Sequence, residues 1–293
     1  MKALILGGSG MLGHKVYQKF KNRFDTYATF RDFSQYKKYN IFEENHAIHP
    51  FSCENPKNLN DILAGIRPDF VVNCIGITKH QLIADNPIQM ITTNSLFPHI
   101  LSHACGQINA KLILISTDCV FSGKAGQYKE NDFSDADDLY GRTKYLGEVA
   151  KTENTLTIRT SIIGRELKTS LGLLEWFLSQ KTGKVKGYKN AIFSGFTTEA
   201  LSDILINIIE KQKTIYGLYN ISADAINKFD LLNLINRIFK LRTEIVPFED
   251  FYCDRSLNSS KFKEITGIKP LSWENMISNM LKDNEQYNDW RNL

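Results

Sequence analysis

Thr117, Tyr140 and Lys144 are the residues of this chain whose types and spacing could do chemistry. Tyr140 and Lys144 lie one helical turn apart in Tyr140-Gly-Arg-Thr-Lys144 and so share a face. Thr117 closes the apolar run Lys111-Leu-Ile-Leu-Ile-Ser116, the pattern of a buried strand. A phenol is a proton donor with an ordinary pKa of about 10, too high for efficient transfer, and a neighbouring ammonium lowers it by favouring the phenolate. A short hydroxyl beside them can hold a carbonyl oxygen while negative charge develops on it. Together they fit carbonyl reduction, with Tyr140 as the acid, Lys144 as the tuning cation and Thr117 as the oxygen ligand. The reaction then needs a hydride donor alongside.

Gly7-Gly-Ser-Gly10-Met-Leu-Gly13 supplies a place for one. It follows a strand pattern and opens a helical one, the setting that raises a glycine spacing above chance. Glycine at Gly7, Gly10 and Gly13 permits a tight turn and lets backbone N–H groups approach a pyrophosphate. It also lets the helix, with its N-terminus facing the anion, pack close to the sheet. The second strand ends Thr29-Phe30-Arg31-Asp32. An arginine there accommodates the 2′-phosphate of NADP, whereas an acid holds the ribose hydroxyl of NAD. Arg31 comes first and favours NADP(H); NAD(H) held by Asp32 is the alternative.

The elements that must position these groups alternate. Strand patterns at 3–7, 26–30, 69–75, 111–117 and 156–162 are interleaved with helical patterns at 11–21, 59–65, 88–105 and 139–151. The 11–21 helix shows Leu12, Val16 and Phe20 on one face, and the 88–105 helix is expected to kink near Pro98. Residues 32–58 carry no clear period. Continuous apolar strands alternating with helices imply an α/β fold, a doubly wound parallel sheet covered on both faces, here called the Rossmann arrangement. After Gly164 the rhythm changes to helices at 171–180, 199–212, 228–239 and 273–283, joined by strand-like pieces at 217–221 and 244–246. The expected division is a dinucleotide-binding domain over 1–164 and a smaller C-terminal α/β substrate part over 165–293. Some segments near 190–220 are expected to return to the first domain.

Composition bounds the function class. Among 293 residues, Lys plus Arg number 36 against 32 Asp plus Glu, and the basic residues are scattered. No nucleic-acid or membrane footprint is indicated by that distribution. The cysteines Cys53, Cys74, Cys105, Cys119 and Cys253 contain no C-x-x-C pair and mostly sit in apolar runs, which fits a reducing cytoplasm. No signal sequence or membrane span is evident. His99 with His103, and His46 with His49, have ligand-like spacing but no accompanying carboxylate or cysteine cluster, so no metal is expected. Trp176, Trp273 and Trp290 are read as core or interface anchors. Asp118 is read as orienting the site or capping a turn.

The motifs Gly7-Gly-Ser-Gly-Met-Leu-Gly13, Asn73-Cys-Ile-Gly76, Asn94-Ser-Leu-Phe-Pro98, Ser116-Thr-Asp-Cys-Val-Phe-Ser-Gly123, Tyr140-Gly-Arg-Thr-Lys144 and Arg159-Thr-Ser161 resemble those of the extended short-chain dehydrogenase/reductases. Within these, the chain is similar to the dTDP-4-dehydrorhamnose reductases and related reductases of nucleotide-activated 4-keto-6-deoxy sugars, strongly to about residue 165 and more loosely beyond. The resemblance implies Thr117, Tyr140 and Lys144 as catalytic residues. It implies Gly7, Ser9, Gly10, Met11, Leu12, Gly13, Arg31, Asn73, Cys74, Ile75, Gly76 and Asn94 around the cofactor, with Tyr140 and Lys144. On the substrate side it implies Thr78, Asp118, Cys119, Phe121 and Arg255.

Two departures reshape the expected sugar pocket: Cys119 replaces the family's usual aromatic after Ser-Thr-Asp, and Ile162-Ile163-Gly164 replaces the aromatic after Arg-Thr-Ser. A UDP-linked N-acetylated 4-keto-6-deoxyhexose therefore stands level with dTDP-4-dehydrorhamnose as the substrate, for cell-surface polysaccharides such as O-antigen. The alternatives are a nucleotide-sugar epimerase or dehydratase, and a non-catalytic NADP-binding regulatory subunit. Homo-oligomers are common for such folds, but no sequence patch predicts an interface.

Overall fold

The computed structural model describes residues 1–180, 183–212 and 214–291. Its central sheet contains β1 (Lys2–Leu6), β2 (Asp25–Thr29), β3 (Ala47–Ile48), β4 (Phe70–Asn73), β5 (Lys111–Thr117), β6 (Thr155–Thr160) and the strand Gly217–Asn220. The spatial order is Gly217–Asn220, β6, β5, β4, β1, β2, β3, with every neighbouring pair parallel. Strands so placed are covered on both faces, which explains their unbroken apolar runs. Ala3, Leu4, Ile5 and Leu6 are each fully buried. One core layer packs Val16, Phe20, Leu201 and Leu205 against the sheet. The opposite layer is built on Leu63, Phe97, Leu101 and Cys105.

The strand order reverses at β1: the chain moves outward to β2 and β3 and then crosses back to β4. Such a reversal opens a crevice at the strands' carboxyl ends. Leu6 of β1 pairs in register with Asn73 of β4, and Asn73 with Leu114 of β5. From that level β5 continues to Thr117, paired there with Thr160. Thr117 thus stands about 10 Å beyond the level where β1 and β4 end, at roughly 3.3 Å per residue.

Two helices carry that end of the sheet. The first runs from Pro87 to Gln107 in three pieces, α-helical over Pro87–Met90, π-helical over Ile91–Leu96 and α-helical over Phe97–Gln107. The kink expected near Pro98 is this wide turn. Pro98 has no N–H to offer the Asn94 carbonyl one α-turn earlier, and the π-turn absorbs the mismatch. The second helix, Leu139–Leu146, starts at Asp138, whose side chain accepts from the Gly141 N–H. It stops at Gly147, short of the expected 139–151, because it has run into the first. A Cβ on Gly147 would fall 1.9 Å from the Asn94 carbonyl oxygen.

The second half of the chain forms small sheets. Ile162–Ile163 pairs with Phe196–Thr197, Lys184–Tyr188 with Glu244–Phe248, and Ala191–Phe193 lies between Ile226–Asn227 and Cys253–Asp254. The expected single strand over 156–162 breaks after Thr160. The Phe196 N–H takes the Ser161 carbonyl, and Gly195 packs against that same oxygen. Helices Ser260–Thr266 and Asn284–Arg291 were not visible in the sequence. Trp273 and Trp290 are buried and Trp176 is partly exposed. Among the described residues no helix is long and apolar enough to cross a membrane.

Gly147→Ala should cost about 2 kcal/mol in urea unfolding, the overpacking range, because backbone must move to admit the methyl group. Gly65→Ala is the control: its helical site has nothing within 4 Å of the new methyl, and there the substitution should be neutral or stabilising. Equal effects at the two positions would contradict the close contact.

Candidate active site

The glycine turn forms as its spacing requires. Gly7 has a φ of 81°, and a Cβ on Gly13 would fall 2.1 Å from the Gly7 carbonyl oxygen. The turn is tied to β2 through Gly8 N–H to the Thr29 carbonyl (3.0 Å) and Gly7 N–H to Thr29 Oγ1 (3.1 Å). The helix it opens, Met11–Phe20, has no side-chain cap at Gly10 and no acid in its first turn. Its N-terminal N–H groups and dipole are therefore offered outward, a fit for a phosphate group. Ser9 and Met11 are half-buried at this mouth, whereas the Leu12 side chain is in the core and only its backbone can contribute.

The loop after β4 lies beside it. Asn73 Oδ1 accepts from the Ile75 N–H at 3.1 Å, and Ile75 packs against Gly7. Asn94, from the π-turn, grips this loop from beneath. Its amide donates to the Ile77 carbonyl and accepts from the Ile77 N–H, both at 2.9 Å. Expected at the cofactor, Asn94 is buried with its amide spent on the loop, so it shapes Gly76–Ile77 from behind. Cys74 is half-buried, and burial pushes its thiol up to about 12. Thr78 is exposed at the rim.

Thr117, Tyr140 and Lys144 converge at the end of β5. The Thr117 hydroxyl donates to Asp118 Oδ1 at 3.2 Å and accepts from the Cys119 N–H at 3.1 Å. Tyr140 hydrogen-bonds the same hydroxyl. Lys144 Nζ donates to the Ile115 carbonyl at 2.7 Å and lies below the Gly76 position. Asp118 was read as either orienting or capping; its carboxylate holds the Thr117 hydroxyl, an orienting role. Thr143, missed in the sequence, anchors the helix: its carbonyl accepts from Ser95 Oγ at 2.8 Å, and its hydroxyl bonds back to the Leu139 carbonyl.

The electrostatics differ from the sequence expectation. Burial pushes the Tyr140 phenol well above its ordinary value, the charges of Cys119 and Asp118 add to this, and only the Thr117 hydrogen bond opposes it. Burial also draws Lys144 down to about 8, against the pull of Glu148 and Cys74. In the free protein Lys144 therefore does not lower Tyr140; desolvation governs both groups. Cys119, beside them, is pushed up to about 12 by burial and the Asp118 charge, which makes it an inert wall.

The second half closes over this centre. Arg255 Nε donates to the Phe121 carbonyl at 2.8 Å, and its Nη1 lies 3.6 Å from Cys119 Sγ. Phe121, expected to touch substrate, is fully buried, stacked on Tyr128 at 4.2 Å and under Arg159. It supports the wall from behind. Lys79 and Lys228 were not foreseen: they face Asp118 and Cys119 closely enough to influence each other's charge, and burial lowers Lys228. Among the described residues neither makes an ion pair. Arg31 is largely exposed, 3.7 Å from Glu54. Asp32 is engaged by Ser34 and Gln35, which hold its carboxyl below the usual range. Of the two residues expected to select the cofactor, Asp32 is committed within its own turn, and Arg31 is held only by that surface ion pair. The histidines behave as ordinary polar groups, His99 on the Leu146 carbonyl and His46 between Asp25 and Glu43.

A protein-family model described as the RmlD substrate binding domain matches residues 1–286. The Bacillus subtilis spore coat polysaccharide biosynthesis protein SpsK is 23% identical over 96% of this chain and 97% of its own length. Bovine methionine adenosyltransferase 2 subunit beta is 29% identical over 53% of this chain, a stretch that spans only 44% of that protein. Among solved structures, Bacillus anthracis dTDP-4-dehydrorhamnose reductase in complex with NADP superposes with a TM-score of 0.78 at 20% identity. That match covers 96% of this chain and 99% of the other.

With folded Lys144 near 8 and the unfolded side chain near 10.4, the unfolded state binds more protons between those values. The Lys144 contribution to stability therefore rises with pH across that window and is absent as a slope below it. Trace labelling of amines followed by mass spectrometry should show Lys144 reactivity half-maximal near pH 8. A midpoint close to that of exposed lysines would contradict the buried setting.

Proposed function

The chain belongs to the RmlD substrate binding domain family, and from that premise we propose that it is an NADPH-dependent reductase of the 4-keto group of a nucleotide-activated 6-deoxy sugar. The observation that carries this reading is the convergence of Thr117, Tyr140 and Lys144 beside a glycine turn that presents an uncapped helix N-terminus. Residues 1–164 hold the dinucleotide, and the later segments bring the substrate to it. The glycine turn would hold the pyrophosphate, Asn73 to Gly76 the nicotinamide side, and Arg31 the 2′-phosphate. A reduced nicotinamide bound there supplies the hydride.

The chain's own residues do the rest. The Thr117 hydroxyl turns its proton from Asp118 to the carbonyl oxygen, and Tyr140 delivers its own proton to that oxygen as the alkoxide forms. A phenol kept protonated by burial is loaded for this transfer. Lys144, whose hold on its proton is weakened in the free site, holds it more firmly when it meets ribose hydroxyls and the forming phenolate. Lys79 and Lys228, close together and in no ion pair among the described residues, suit the diphosphate of a nucleotide sugar. Cys119 and Ile162 leave room where the family carries aromatics, which favours a bulkier acylated sugar as readily as dTDP-4-dehydrorhamnose. A product for cell-surface polysaccharide synthesis is in keeping with the name of the Bacillus subtilis relative.

A second reading has one observation behind it: the bovine relative is by name a subunit of another enzyme. Incubation with NADPH and a panel of dTDP- and UDP-4-keto-6-deoxy sugars separates the readings. A reductase consumes one NADPH per sugar, an epimerase or dehydratase has no net consumption, and a binding subunit turns nothing over. In the active pairing, Tyr140→Phe should cut turnover by about 10² to 10⁴ with NADPH affinity nearly intact. Arg31→Ala should raise the KM for NADPH by about 10-fold or more while hardly changing that for NADH. Unchanged turnover, or equal effects on both cofactors, would remove the assigned roles.

A further inference from the structure

The C-terminal helix Asn284–Arg291 reaches the back of the glycine turn. Tyr287 and His14 are both fully buried, with their rings edge to face and centroids 5.6 Å apart. The Tyr287 hydroxyl lies 2.6 Å from His14 Nε2, and His14 Nδ1 lies 2.7 Å from the Gly10 carbonyl oxygen. A carbonyl can only accept, so Nδ1 carries the ring proton. Burial holds the imidazole neutral, its pKa down at about 3, which leaves a lone pair on Nε2 for the Tyr287 hydroxyl to donate into. The direction of the relay is thereby fixed, from Tyr287 to His14 to Gly10.

The Gly10 carbonyl shares a rigid planar peptide with the Met11 N–H, which points the opposite way. Whatever holds the carbonyl therefore aims the first N–H of the helix that faces the expected pyrophosphate. Tyr287 is itself held firmly. Lys15 Nζ and the Arg165 guanidinium lie 5.0 and 4.9 Å from its ring centre, and Trp290 meets it edge-on at 5.1 Å. Lys15 also binds Asp283, immediately before the helix, at 2.8 Å.

We propose that Tyr287 is a positioning residue for the dinucleotide: through His14 it orients the Gly10–Met11 peptide, so that the C-terminal helix sets the affinity for the pyrophosphate. This rests on the dinucleotide-binding reading given above. Tyr287→Phe keeps the ring and its two cations but removes the donor. Titration of the protein into NADPH, read by nicotinamide fluorescence, should show Kd raised about 10-fold, the scale of one buried hydrogen bond. In steady state the KM for NADPH should rise alike, with kcat at saturation and the KM for the keto sugar moved by less than about 2-fold. His14→Gln, whose amide can donate to Gly10 and accept from Tyr287, should bind NADPH nearly as the parent does, whereas His14→Leu should match Tyr287→Phe. The His14 pair carries the same comparison if Tyr287→Phe fails to fold. An unchanged Kd in Tyr287→Phe and His14→Leu overturns the proposal and leaves the reductase reading standing. A parallel loss of sugar affinity and kcat overturns it too, as general loosening. A parent protein that binds no NADPH overturns both.

Discussion

The site depends on one contact of backbone against backbone, Gly147 on the carbonyl of Asn94. It is possible because two residues lack something: Gly147 has no side chain, and Pro98 has no N–H to direct at that carbonyl. The π-turn that results presents Asn94 to the Gly76–Ile77 loop and Ser95 to the Thr143 backbone. The helix bearing Tyr140 and Lys144 is thus docked on the same turn that shapes the loop after β4. A shift at Gly147 would be felt at both walls at once.

Desolvation sets the resting state of the centre. Tyr140 keeps its proton, and Lys144, down at about 8, keeps its charge only below that pH in the free protein. Both groups are nonetheless half-exposed to the cleft, so molecules entering it can change their surroundings. The charges that would favour an anionic ligand, Arg255, Lys79 and Lys228, come from the loop after β4 and from the second half of the chain. The end of β5 supplies Thr117, and the helix Leu139–Leu146 supplies Tyr140 and Lys144.

How much of this was legible follows from how local each signal is. The glycine turn, the apolar strands and the helix carrying Tyr140 and Lys144 are local features, and each element shows its own pattern. The β3 edge strand has two residues within a stretch of polar turns, too short to show a period. Lys79 and Lys228 look like any surface lysines until folding brings them together near Asp118 and Cys119. His14 and Tyr287 lie 273 residues apart, and no spacing rule connects them. Phe121 and Asn94 sit within motifs that carry the family resemblance, yet both side chains are buried against the protein itself. A motif reports which segments gather at a site; it does not report which side chain of each segment points in.

The central claim is that Tyr140 protonates an oxygen whose carbon receives the hydride, and the most direct measurement follows a label through that step. With NADPH deuterated at both nicotinamide C4 positions, mass spectrometry of the sugar product should find one deuterium, at the sugar's C4, per NADPH consumed. The rate of its appearance should fall by about 10² or more in Tyr140→Phe. Product without deuterium, or label incorporation at the parent rate in Tyr140→Phe, would contradict the account.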